Sequence, residues 1–115
     1  MLANIVDMNP IFRGNKREYL LTFTDSGGSA VPITGWTIYF TVKKNYADTV
    51  AAISKDITIH YDAPNGQTKI LLTPTDTDIV PGNYFYDIQA KKAADDIETV
   101  LSGMIQIIAV TRKIT

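Results

Sequence analysis

Strict two-residue alternation is the strongest constraint on this chain. From Trp36 to Lys43, Trp36, Ile38, Phe40 and Val42 fall on one parity, and Thr37, Tyr39, Thr41 and Lys43 fall on the other. Successive side chains of a strand point to opposite faces, so such a run buries one face and wets the other. A second aromatic-rich run, Gly82 to Lys92, alternates in the same way, with Tyr84, Tyr86, Ile88 and Ala90 opposed to Asn83, Phe85, Asp87 and Gln89. Two half-buried strands of this kind need a facing layer, which points to a β-sandwich.

The rest of the chain repeats the pattern. Tyr19, Leu21 and Phe23 alternate with Glu18, Thr22 and Thr24, and Asp25 to Ser29 follows as a turn-forming exit. Ile53, Ile57, Ile59 and Tyr61 share a parity and predict a further strand. Asn65-Gly66 supplies positive-φ chemistry before Thr68 to Thr73 resumes with Ile70 and Leu72 inward, so this segment predicts a hairpin. Thr73, Pro74 and Asp76 have the spacing of a capping box and predict one short helical turn. Ala93 to Asp96 turns the chain back into Ile97 to Ser102, and Gly103 is read as a bulge or bend. Beyond it Met104, Ile105, Ile107, Ile108 and Val110 are apolar on both parities, which predicts a strand covered on both faces or in contact with another subunit. In all, about seven strands at roughly 8–12-residue spacing predict an antiparallel sandwich rather than βαβ units.

At 115 residues the chain suits one domain, residues 1–115, with no linker or internal repeat. Eleven basic and twelve acidic side chains are interspersed and sum to −1, so neither nucleic acid nor an anionic membrane is an expected partner. The absence of cysteine excludes disulfides, thiol catalysis and thiolate metal sites. Residues 1–10 lack the charged and apolar regions of a secretory signal, and the longest apolar runs are strand length.

Catalytic chemistry has few anchors. His60 is the single histidine, and a Ser-His-Asp arrangement would have to use it, yet it lies at a strand end with no nucleophile motif beside it and reads as a surface residue. Asp76, Asp78, Asp95, Asp96 and Glu98 offer oxygen ligands, but they lack the alternating spacing of a calcium loop and read as turn and capping residues. No catalytic, cofactor-binding or metal-ligating residue is assigned, no cofactor is expected, and no partner-binding residue is named. Trp36 and Tyr84 read as core anchors, Tyr84 in the manner of a tyrosine corner whose hydroxyl returns to the preceding connection. Tyr39, Tyr46 and Phe85 are the aromatic residues left off the inward parity.

Taken together, Ile11 to Gly14, Ile33 to Lys43, Leu72 to Thr77 and Pro81 to Gln89, closing with Gly103 and Val110-Thr111, resemble the immunoglobulin-like domains of tailed-phage structural proteins. The resemblance is closest to the N-terminal domain of baseplate upper proteins from phages of Gram-positive bacteria, and it spans roughly residues 10–112. It implies an immunoglobulin-like antiparallel sandwich and a non-enzymatic role in assembling a virion tail or baseplate, made in the bacterial host cytoplasm. The partners it implies are other tail or baseplate proteins, and homo-oligomerisation is expected. Such baseplate proteins usually continue into a helical or receptor-binding region; if residues 1–115 are the full product, docking or decoration is implied rather than a whole fibre. The alternative is a carbohydrate-binding module for host cell-wall glycans, using Tyr39, Tyr46 or Phe85 as a stacking platform. An enzymatic reading would need His60 or the Asp76 and Asp78 pair.

Overall fold

Leu21, Phe23, Ile38, Phe40, Val42, Ile70, Leu72 and Ile88 are all wholly buried, and they come from two sheets that face each other across one apolar core. The computed structural model describes residues 2–5, 8 and 10–112. Its strands are β1 (Leu2–Ile5), β2 (Ile11–Phe12), β3 (Arg17–Thr24), β4 (Thr37–Lys43), β5 (Ile53–Ile57), β6 (Gln67–Leu72), β7 (Gly82–Ala93) and β8 (Asp96–Ile108). The order β1-β3-β6 makes a three-stranded sheet and β2-β8-β7-β4-β5 a five-stranded one. The protein is an all-β sandwich, and the alternation in β3, β4 and β7 sets which residues line its core.

Two strands lie outside the sequence pattern. β1 pairs antiparallel with β3, and β2 pairs parallel with β8 through Ile11 opposite Ile107 and Phe12 opposite Ile108. The amino-terminal segment thus serves both sheets, and two residues are too few to show a period. Tyr19 ties this segment down, donating a 2.9 Å hydrogen bond from its hydroxyl to the Met8 carbonyl. Burial, against a smaller opposing effect of Arg17, raises that phenol to about 12.

The expected hairpin at Asn65-Gly66 is only locally present. Asp62 and Gln67 exchange a single pair of backbone bonds, after which β5 and β6 belong to different sheets. Ala63–Asn65 forms a 3-10 turn that ends on Gly66 in the left-handed conformation at φ 70°. Its carbonyl accepts from Phe23 N–H at 2.8 Å, locking the turn beneath β3. The strand expected to run on to Tyr61 stops at Ile57, leaving Ile59 88% exposed. Alternation records that one face of a strand is buried; it does not record which sheet the strand joins.

β8 is one strand rather than two. Ile88 faces Leu101 and Gln89 faces Thr99, so Val100 is the extra residue of the bulge. Gly103 instead lies opposite Tyr86, and a Cβ there would come within 3.1 Å of the Tyr86 ring. Ile105 and Ile107 are buried while Met104 is 52% exposed, so within this chain the last strand is covered on one face only.

The tyrosine corner is present: Tyr84 donates from its hydroxyl to the Val80 carbonyl at 2.5 Å. Trp36 is less buried than its parity implies, because a turn bonds its N–H to the Ile33 carbonyl and delivers Ile33, not Trp36, into the core. The indole sits at the rim, edge-on to Phe23 with centroids 5.7 Å apart.

Candidate functional site

The residues required by an enzymatic reading are engaged elsewhere in the structure and do not converge. His60 is half-buried rather than on the surface: Nε2 donates to the Trp36 carbonyl at 2.8 Å, which leaves Nδ1 to accept from the Thr68 hydroxyl at 2.9 Å. The ring therefore braces the start of β4 against β6. Asp78 pairs with Arg13 at 3.0 Å, and Glu98 pairs with Lys92 across the last hairpin at 2.9 Å. Among the described residues no group of three or more histidine and acidic side chains is placed to hold a metal ion.

Asp76 completes the capping box, accepting from Thr73 N–H at 2.8 Å while its own N–H donates to the Thr73 hydroxyl at 3.2 Å. The same carboxylate meets Lys55 Nζ at 2.6 Å, joining the turn after β6 to β5 in the other sheet. Burial alone would raise its pKa, but the Lys55 and Thr73 bonds together outweigh burial and hold it below the usual 3.8. A carboxylate depressed in the folded state adds stability that is present above its unfolded pKa and lost as pH falls through the folded value. Asp76→Ala is therefore expected to cost about 0.5–2 kcal/mol at pH 7, in the range of lost caps. In chemical denaturation at stepped pH, the gap from wild type should narrow below about pH 4.

The outward face of the five-stranded sheet is organised in cross-strand rows. Ser54, Thr41, Asp87 and Ser102 form one row across β5, β4, β7 and β8. On one side lies the row Asp56, Tyr39, Gln89 and Thr99, and on the other the row Lys43, Phe85 and Met104. Tyr46, in the loop after β4, folds back over this last row and stacks on Phe85 with centroids 4.3 Å apart and planes 23° apart. The loop is held by a turn in which Asn45 N–H donates to an Asp48 carboxylate oxygen at 3.0 Å. Tyr46 remains 70% exposed. Together Thr41, Lys43, Tyr46, Phe85, Asp87 and Gln89 border a concavity of about 280 Å³.

Of the three aromatic residues left off the inward parity, Tyr46 and Phe85 are thus joined. Tyr39 lies one row beyond the polar row, opposite Gln89. Thr41, Asp87 and Met104 carry no motif of their own; sharing the outward parity with Tyr39 and Phe85 is the signal that places them. A second concavity, about 360 Å³, lies between edge strands β5 and β6, bordered by Lys55, Ile57, Ile59 and Leu71.

A different part of the molecule joins the residues after β2 to the turn after β6. Gly14 N–H donates to the Thr77 carbonyl at 3.3 Å, and the Thr77 hydroxyl donates to the Asn15 carbonyl at 2.7 Å. With the Arg13–Asp78 pair and the Tyr84–Val80 bond, these contacts build one corner of the sandwich. No protein-family model matches the chain, and no curated protein matches it.

Proposed function

We propose that the chain is a non-catalytic structural module of a phage or prophage virion, docking into a tail or baseplate through protein surfaces. The observation that carries this reading is the corner at which Arg13 and Gly14, Thr73 to Asp78, and Tyr84 meet. These sequence-distant segments are among those on which the resemblance rests, and in this chain they pack together at one corner. Apolar side chains on the outward surface supply contact area of the kind docking uses: Phe12 is 45% exposed and Val80 69%. Virions purified from a strain encoding the chain should contain it by mass spectrometry, and gold-labelled antibody should decorate the tail or baseplate. Its absence from purified particles would end the proposal.

A second reading, recognition of host cell-wall glycans, is favoured by one feature, the stacked Tyr46–Phe85 pair beside a polar row.

A further inference from the structure

We propose that the outward face of the five-stranded sheet is a binding trough for a neutral oligosaccharide, with Tyr46 as its stacking platform and Thr41, Asp87 and Gln89 as its hydrogen-bonding floor. This rests on the glycan-recognition reading and is independent of the assembly role.

Sugar rings present two kinds of surface: a face of C–H groups and an equator of hydroxyls. The C–H face is matched by the electron-rich face of an aromatic ring, and hydroxyls are matched by side chains that both donate and accept. Phe85 supports Tyr46 from below, so the tyrosine ring is held against the sheet while its other face stays open. Prior ordering of this kind lowers the entropy cost of binding. Beside the ring, Thr41 and Asp87 are direct cross-strand neighbours, and Gln89 follows two residues along β7 on the same face. They supply a hydroxyl, a carboxylate and a carboxamide in one plane.

The trough extends beyond the concavity. Tyr39 lies four residues before Lys43 on β4, and Lys43 is opposite Phe85. At strand rise this separates Tyr39 from the Tyr46 end by roughly 13 Å. An aromatic residue at each end of a polar floor fits a chain of sugar rings better than a single one. Charge argues for a neutral chain: Asp87 occupies the floor and Asp56 the row beside it, while Lys43 lies at one end and Lys91, opposite Thr37, beyond the other, so the charges offset and no strong positive field awaits a polyanion. The central rows are too polar to match the apolar core of a protein interface.

The test is a titration of ¹⁵N-labelled protein with cellopentaose, maltopentaose and chitopentaose, with dextran sulfate as the anionic probe. At least one neutral oligosaccharide should give saturable shifts at the amides of Thr41, Tyr46, Asp87 and Gln89. Tyr46→Ala should weaken that binding at least about tenfold, the scale of one lost aromatic contact. Tyr46 is exposed, so its variant should keep the wild-type melting temperature, and Tyr61→Ala, an exposed tyrosine off this face, should bind normally. Absence of shifts with all three neutral sugars overturns both the trough and the glycan reading. Saturable binding that maps elsewhere, or that survives Tyr46→Ala, overturns the trough alone. Tighter binding of dextran sulfate, or protection of this face only by a purified tail protein, overturns the neutral-glycan assignment.

Discussion

Gly66→Ala is expected to destabilise the domain by about 2–5 kcal/mol, combining the left-handed backbone penalty with steric overpacking. A Cβ at Gly66 would lie 2.5 Å from the Val31 carbonyl oxygen and 2.7 Å from that of Phe23. Both are backbone atoms, so relief requires movement of β3 or of the segment leading to Ile33. Gly28 is the control, because it too has positive φ, at 84°, but an added Cβ meets nothing within 4 Å. Gly28→Ala should therefore show the conformational penalty alone, about 1–2 kcal/mol. Equal losses at the two sites in urea denaturation would show that the close approach at Gly66 contributes nothing.

Phe40→Ala is expected to cost about 3–5 kcal/mol, against a total of about 5–15 kcal/mol for a domain of this kind. Phe40 is wholly buried in the middle of β4, between Ile88 on β7 and Lys55 on β5, with its ring 6.1 Å from that of Tyr86. Both neighbouring strands are held in place by pairing with β4, so the cavity has little room to collapse. Thermal melting should fall by at least about 10 °C at this chain length. A fall of only a few degrees would mean that the five-stranded sheet repacks freely around the site.

These effects fall on parts of the fold with unequal visibility in the sequence. β3, β4 and β7 are legible because each buries one face against the other sheet, and burial of one face is what a period of two encodes. The capping box at Thr73 and the corner at Tyr84 are legible because each is closed by residues within four positions. β5 and β6 are legible as strands but their pairing is not, since a turn between two strands looks the same whether they pair or diverge into separate sheets. β1 and β2 are too short to alternate, and their place depends on partners far along the chain. His60 and Trp36 illustrate the same limit: parity gives the direction of a side chain within a regular strand, whereas both residues lie just outside one.

The candidate site is half-legible for a related reason. Tyr39 and Phe85 are set outward by parity, and the register that aligns Thr41 with Asp87 follows once β4 and β7 are paired. The stacking of Tyr46 on Phe85 depends on a loop folding back across the sheet, and loop geometry leaves no period.

The parallel ladder between β2 and β8 has a mechanical meaning. Tension entering ahead of Ile11 and leaving beyond Ile108 pulls these two strands in opposite directions along their length. The rungs between them, continued by Arg13 N–H donating to the Ile108 carbonyl at 2.9 Å, are then sheared together instead of opening one after another. The β7–β8 hairpin lies behind that patch and feels little of the load until it gives way. For tension applied at these two points, the resistance falls first on β2, the shortest of the described strands.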